Sequence, residues 1–319
     1  MTKEIMNPSV WDGAHTWCTQ FNQADPFKHT VINDFFSDAF CQRLVKDFPP
    51  FDDRLAMNEN GEVGQKCTHQ DLASLGGPWL EVDRFIKTPE FLNWLSETTG
   101  IDDLLYDPHY FGGGTHENRH GQELDVHVDF NRHPITGWHR RLNLIVYLND
   151  EWDEDWGGAI EFHKDPRDVD HNTVTAVKPA LNRAVVFETT YWSWHGFERI
   201  ELPEGDQDPR SRKSLALYFY TRTRPEAELT PPHSTIYVER QLPEHIKPGV
   251  VLSEEDHATI VRLLARRDQH LKRLYDNILD LGGQLESARA SAAIPLSLYR
   301  RIRALGGRIL RRLGLKPAV

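Results

Sequence analysis

His127 and Asp129 stand two residues apart in Leu124-Asp125-Val126-His127-Val128-Asp129-Phe130, a run that alternates polar and apolar residues. Read as a strand, it sends Asp125, His127 and Asp129 to one face and Val126, Val128 and Phe130 to the other. An imidazole and a carboxylate so placed on a rigid strand can grip one metal ion, as two arms of a 2-His-1-carboxylate facial triad. The third arm must come from elsewhere, and His195 is the candidate. His-x-Asp alone carries little weight in a chain with 16 His and 48 acidic residues, and His69-Gln70-Asp71 and His163-Lys164-Asp165 fit it too. Context separates His127: its pair alone lies in an alternating strand followed by strands that end in a second His and a basic residue. His109, His116, His120, His133 and His139 crowd the motif and read as surface or supporting groups rather than ligands. Asp125 either orients an imidazole or is solvated. Trp192 and Trp194, just before His195, are either core aromatics or a substrate platform.

These residues need a frame. Residues 1–30 give no assignable pattern, and Thr30-Val31-Ile32 reads as a short strand. Ser37 is placed to cap a helix with Phe40, Leu44, Val45 and Phe48 on one face, stopped by Pro49-Pro50. The following forty residues, with Gly61, Gly64, Gly76-Gly77 and Pro78, read as loop. A second helix has Thr88 as cap, Pro89 at its first position and Gly100 as its stop. From Leu104 the period changes to two. Leu104 to Tyr110 is expected to be a strand, Gly112-Gly113-Gly114 a turn or a close backbone approach. Arg141 to Leu148 is a strand with Arg141, Asn143, Ile145 and Tyr147 on one face and four aliphatic residues on the other. Ala159 to Phe162, Val174 to Val177, Ala184 to Phe187 and Ser214 to Tyr220 continue the series. Short strands with turn signals and no helices between them predict an antiparallel sandwich or barrel. Ser253, with Asp256 in a capping box, opens a long helix in which Leu264, Leu271, Ile278 and Leu285 recur every seven residues. That spacing suits a coiled coil or a helix lying across the core. Gly282-Gly283 and Pro295 are expected to divide it from a basic end.

Composition narrows the classes. The chain has 319 residues, ordinary apolar content and nine Trp, enough for one large domain with an appendage. Cys18, Cys41 and Cys67 form neither a zinc spacing nor a disulfide framework, which suggests a reducing compartment. No signal-peptide pattern and no membrane-length apolar run is visible, so a cytoplasmic location is expected. A net charge of -11 argues against nucleic acid as a partner. The charge is uneven: residues 296–319 carry seven Lys or Arg and no acid, leaving -18 on the remainder.

From His127 to Tyr220 the chain resembles the Fe(II)/2-oxoglutarate-dependent dioxygenases, in their prolyl-4-hydroxylase-like branch. The resemblance rests on His127-Val128-Asp129, on Tyr147-Leu148-Asn149 with the acidic Asp150-Glu151-Trp152 turn, and on Gly157-Gly158. It continues in His195-Gly196-Phe197 and in Arg212-Lys213-Ser214-Leu215-Ala216-Leu217-Tyr218. It implies a mainly β fold with flanking helices, a double-stranded β-helix (jelly-roll, cupin-like) with a C-terminal helical extension. The parts would be 1–100 as support and 101–250 as oxygenase core, with 251–319, outside the family's catalytic core, as a helical extension formed of a coiled coil or a helix lying across the core and a basic amphipathic tail. It also implies His127, Asp129 and His195 as iron ligands. Arg212 would hold the distal carboxylate of 2-oxoglutarate as a bidentate, charge-assisted partner, with Ser214, Tyr147 and Asn143 on the same lining. One departure stands out: relatives place the basic residue closer to the second His than the 17 residues that separate Arg212 from His195. A longer loop through the acidic segment 203–209 accounts for it, and Arg210 and Lys213 are the competing choices.

The implied reaction is oxidative decarboxylation of 2-oxoglutarate by O2, releasing succinate and CO2, coupled to hydroxylation of an unactivated C–H bond. Ascorbate would be an accessory reductant. A halogenase of this fold needs a small residue in place of the carboxylate ligand, so Asp129 favours hydroxylation. The substrate class stays open among prolyl or amino-acid residues, small metabolites and saccharides. The alternative is a non-catalytic metal-binding β-barrel acting as sensor or scaffold, which turnover of 2-oxoglutarate would separate from an enzyme. Leu298, Ile302, Leu305, Ile309 and Leu313, interleaved with arginines, give a basic amphipathic end suited to an anionic membrane surface or to self-association through the C-terminal helices.

Overall fold

The computed structural model describes residues 2–57, 63, 66–168, 170–207 and 210–312, with the side chains of 2–3 and 292–312 excepted. The chain divides into two compact units, 1–263 and 264–319. Helices α1 (Thr2–Ile5), α2 (Pro8–Asp12) and α3 (Ala14–Gln23) open the first unit, followed by β1 (His29–Ile32), α4 (Asp38–Lys46) and β2 (Cys67–His69). Then come α5 (Leu72–Leu75), α6 (Gly77–Ile86) and α7 (Pro89–Thr99). The strand series runs β3 (Leu105–Tyr106), β4 (Gly114–Asn118), β5 (Leu124–Val128), β6 (His139–Tyr147), β7 (Ile160–His163) and β8 (Val174–Val177). It closes with β9 (Ala184–Glu188), β10 (Trp194–Phe197), β11 (Arg212–Thr221) and β12 (Ile236–Tyr237), and α8 (Glu254–Arg312) is the last described element.

The strands form two antiparallel sheets. One has the order β1-β9-β6-β11-β4-β2, with β3 beside β4 on the same flank of β11; the other is β12-β5-β10-β7-β8. This is the expected double-stranded β-helix. Alternation along β6 explains how the larger sheet serves two cores. Leu142, Leu144 and Val146 join Val186, Leu215, Leu217 and Phe219 on the face covered by helices, where Phe21, Phe40, Trp79, Phe91 and Trp94 are also buried. Tyr147 turns to the opposite face with Val185 and Phe187, against Ile160 and Phe162 of the smaller sheet. Each such aliphatic or Phe side chain removed from water contributes about 1.5–3 kcal/mol, so the helices are held on by the sheet rather than by their own propensities.

α7 matches the sequence reading: Thr88 Oγ1 accepts from the Phe91 amide, Pro89 is at the first turn and Gly100 ends the helix in the left-handed conformation. Ser37 occupies the cap position of α4 but donates its hydroxyl to the Glu4 carbonyl instead of capping. Other segments differ from expectation. The first thirty residues hold three helices, anchored by Trp11 stacked on Trp94 at 6.0 Å. Few apolar residues mark their buried faces, Val10, Ala14 and Phe21 among them. The stretch read as loop contains α5 and α6; Gly77-Pro78, a turn signal on paper, is here the start of a helix, where proline's missing N–H costs nothing. The strand expected over Leu104 to Tyr110 shrinks to Leu105–Tyr106, because the Asp107 carboxylate accepts from the amides of His109 and Phe111 and bends the chain. The glycines after it are a close approach: a Cβ on Gly114, at φ +107°, would lie 2.1 Å from the His69 carbonyl oxygen.

α8 begins with the expected capping box, Ser253 and Asp256 exchanging side-chain and backbone hydrogen bonds. Its backbone stays helical through Gly282-Gly283 and Pro295, where a division was expected. Two glycines cost about 1 kcal/mol each relative to alanine, which weakens a helix of 59 residues without ending it. The side chains of the basic end, and residues 313–319 entirely, lie outside the described residues. Among the described residues no helix is long and apolar enough to cross a membrane.

Candidate metal centre

β5 and β10 are hydrogen-bonded neighbours, and their register puts His195 opposite His127. Residues opposed across an antiparallel pair share a face, so both imidazoles enter the barrel, their ring centroids 4.3 Å apart. Asp129 follows directly on β5. Its Oδ1 lies 3.8 Å from His127 Nε2 and its Oδ2 3.6 Å from His195 Nε2, too far for hydrogen bonds and open enough for an ion between them. One donor atom from each of the three residues falls within 4.8 Å of the others. The protonation states suit the same purpose. His127 Nδ1 is 2.8 Å from the Asp125 carbonyl and His195 Nδ1 is 2.9 Å from the Ser193 carbonyl. A carbonyl only accepts, so both protons sit on Nδ1 and both Nε2 lone pairs face Asp129. Burial lowers the pKa of both rings, that of His127 to about 3, and keeps them neutral.

Asp129 is charged despite its surroundings. Burial would raise its pKa, but the Arg140 guanidinium, the two imidazoles and a hydrogen bond from Asn143 outweigh burial and hold it far below the usual carboxylate range. Arg140 Nη2 is 3.2 Å from Asp129 Oδ2, and Asn143 Nδ2 donates to the same oxygen at 2.8 Å. Arg140 also donates to Asn143 Oδ1 through Nε and Nη2, and its guanidinium lies over the rings of Phe130 and Tyr218. Arg140 is 1% exposed, and alternation along β6 would have turned it away from the barrel. The register explains its position. Phe219 pairs with Leu142, but Tyr220 pairs with Arg140, so Arg141 is skipped and the face reverses at a bulge. No pattern in the sequence marks that bulge. Asn143, expected beside the cosubstrate anchors, makes its hydrogen bonds to Asp129 and Arg140.

Farther along the lining, Ser214 of β11 is opposite both Tyr147 of β6 and His116 of β4. Arg212 lies two residues before it, buried. Its Nε donates to the Gly158 carbonyl at 2.6 Å and its Nη2 to Tyr147 Oη at 3.2 Å. The guanidinium packs over Phe197 and Tyr147, with no carboxylate within 4.0 Å among the described residues. Burial lowers its pKa and raises that of Tyr147, which stays a neutral phenol. Arg210 instead reaches Glu151 near the surface, and Lys213 lies over Phe48 on the helix side. A buried guanidinium with a phenol beside it and unused donors fits an incoming carboxylate.

The other expected residues separate. His109, His116, His120, His133 and His139 are not in the cluster; His116 binds the Gly112 carbonyl and His133 the Asp107 carboxylate. Asp125 is buried; its carboxylate pairs with Arg240 Nε at 2.7 Å and its carbonyl takes the His127 proton. Trp194 is buried and Trp192 is 53% exposed. Trp192 and Tyr191 rim a small open recess that reaches Asp129 and is also lined by Thr189, Arg224 and Thr230. β12 closes the other side, pairing with β5 and setting Tyr237 against the His127 ring at 5.4 Å.

Residues 113–220 match the family model of the 2OG-Fe(II) oxygenase superfamily. This segment is a 2OG-Fe(II) oxygenase domain. The chain is 28% identical over 253 residues to prolyl 3-hydroxylase OGFOD1 of Mus musculus, a match that covers 73% of this chain and 41% of that protein. It therefore spans less than half the length of this relative. Solved structures similar to it include a prolyl 4-hydroxylase from Phytophthora capsici, with 18% identity, TM-score 0.44 and coverage of 83% of this chain and 74% of that one. Another is a prolyl hydroxylase from Trichoplax adhaerens in complex with a hypoxia inducible factor peptide fragment, with 13% identity, TM-score 0.44 and coverage of 69% and 96%. Oxygenases of this superfamily use Fe(II), 2-oxoglutarate and O2, and the oxygenase domain here has a donor set of the right chemistry for the metal.

Proposed function

We propose that the protein is an Fe(II)- and 2-oxoglutarate-dependent hydroxylase acting on a prolyl residue of a peptide. The observation that carries the reaction is the presence in one barrel of the His127, Asp129 and His195 cluster and the buried Arg212 without a carboxylate partner among the described residues. The first suits a divalent ion that prefers imidazole and carboxylate, the second an anionic cosubstrate. Likeness to a protein named prolyl 3-hydroxylase supports the prolyl substrate.

In this reading His127 and His195 hold Fe(II) through Nε2, and Asp129 supplies the anionic ligand. Arg140 and Asn143 fix the angle of the Asp129 carboxylate. Arg212 and Tyr147 pair with the distal carboxylate of 2-oxoglutarate, and Ser214, beside them, donates to it. Bound iron and 2-oxoglutarate supply O2 activation. The protein's share is to orient them, to exclude water through Phe187, Phe197 and Tyr237, and to present the substrate C–H through the recess beside Trp192.

The test is conversion of 2-oxoglutarate to succinate with Fe(II), alongside a one-oxygen mass gain in proline-containing peptides. The wild-type protein should do both. His127→Ala, Asp129→Ala and His195→Ala should lose turnover and calorimetric Mn(II) binding while staying folded. Undiminished Mn(II) affinity in the His195 variant would remove His195 from the ligand set.

A further inference from the structure

Leu264, Leu271, Ile278 and Leu285 of α8 stand every seventh residue, and Leu274 and Leu281 lie three residues after Leu271 and Ile278. These six side chains are 44–62% exposed, a continuous apolar row along α8 beside the also exposed Leu279. A helix resting on a globular surface follows a 3.6-residue period, and a strict seven drifts off any straight contact line. A seam repeating every seven residues stays in register only with another helix that supercoils around it. Gly282 and Gly283 fall outside the seam, so they weaken the helix without opening a hole in it.

We propose that α8 pairs with α8 of a second copy as a parallel, in-register coiled coil. The choice of partner comes from Arg267, which occupies the seam position three residues after Leu264 and is the one charged residue between Leu264 and Leu285 in the seam. In a parallel pair a side chain at that position enters a hole made by four residues of the facing helix. For a second copy in register these are the partner's Leu264, the partner's Arg267, the partner's Asp268 and the partner's Leu271. Each Arg267 then meets a carboxylate from Asp268, twice by symmetry. A partner with a plain leucine seam would leave the guanidinium buried and unpaired, which is strongly unfavourable. Along the flanks His270 faces the partner's Tyr275, and Gln284 faces the partner's Arg289, so no like charges oppose each other. A single polar residue in an apolar seam also fixes register and helix number, as Arg267 does here.

Sedimentation equilibrium on the full chain at micromolar concentration tests this. The wild-type protein should sediment at twice its 36.9 kDa, and the double variant Leu271→Asp, Ile278→Asp at the single-chain mass with its near-ultraviolet circular dichroism unchanged. Asp268→Arg should weaken the dimer, and the swap Arg267→Asp, Asp268→Arg should restore it. Ile278→Cys should give a reducible dimer under mild oxidation, which an antiparallel pair would not. A single-chain mass for the wild type, or a dimer indifferent to Leu271→Asp, Ile278→Asp, overturns the seam. A swap that fails to restore association overturns the parallel register.

Discussion

At the residue scale the site depends on charges removed from water and then held by a few chosen partners. Arg212 has a phenol and a carbonyl but no carboxylate partner among the described residues, and in the proposed function the cosubstrate supplies one. Arg212→Ala should therefore raise the dissociation constant for 2-oxoglutarate steeply, since an unpaired buried carboxylate costs roughly 2–5 kcal/mol. Arg210→Ala should leave it nearly unchanged, because Arg210 is occupied by Glu151. Isothermal titration of 2-oxoglutarate into the Mn(II)-loaded protein reads both; a severe Arg210 variant would move the carboxylate site off β11. Arg140 makes a different case. It keeps Asp129 ionised and, with Asn143, aims it. Arg140→Met should cut Mn(II) affinity about 10–100-fold, the usual range for groups that orient a metal ligand, with little change in the 2-oxoglutarate constant once metal is saturating. Equal losses in both constants would mean the substitution disturbed the barrel rather than the ligand.

At the element scale, what could be read from the sequence followed strict periodicity. The alternation of β6 and the Thr88, Pro89 and Gly100 signals of α7 were legible because each rests on local chemistry. Arg140 was not, because a bulge in β6 is set by its pairing with β11 and leaves no local mark. Residues 1–30 were illegible for another reason: short helices held by Trp11 and Trp94 take their stability from a surface that only the fold provides. β12 belongs to this class as well. Two residues long, it would not persist alone; Arg240 fastens it by pairing with Asp125, Glu123 and Glu198. Asp125 and Glu123 are nearly buried, so Arg240→Ala takes a charged partner from both, although Arg262 stays 3.8 Å from Glu123, and should destabilise the first unit by about 3 kcal/mol, the low end for a broken buried pair. Urea unfolding followed by Trp fluorescence measures it. A loss below about 1 kcal/mol, the value of an exposed pair, would show that the strap over His127 is held by something else.

At the scale of the whole molecule, the residues assigned to chemistry and those that stabilise the barrel lie within one unit. The buried clusters run from Ile5 to Phe219, and the strap that closes the site ends at Arg240. Arg262, whose Nε is 3.8 Å from Glu123, belongs to that neighbourhood as well, and it too precedes Leu264. Leu264, Leu271, Leu274, Leu281 and Leu285 of α8 are 44–62% exposed and belong to none of the buried apolar clusters of the described residues. A chain ended after Leu263 should therefore fold, bind Mn(II) and 2-oxoglutarate with constants within about twofold of the full chain, and turn 2-oxoglutarate over at a similar rate. Its thermal midpoint should shift by no more than a few degrees, since about 1 kcal/mol moves a domain of this size by only ~2–4 °C. It should differ in mass, sedimenting as a single chain where the full protein sediments as a pair. Calorimetry, succinate release and sedimentation on one preparation read all of this together. A truncated chain that folds but loses 2-oxoglutarate turnover would mean that α8 acts on the active site itself, and the division of labour between the two units would have to be abandoned.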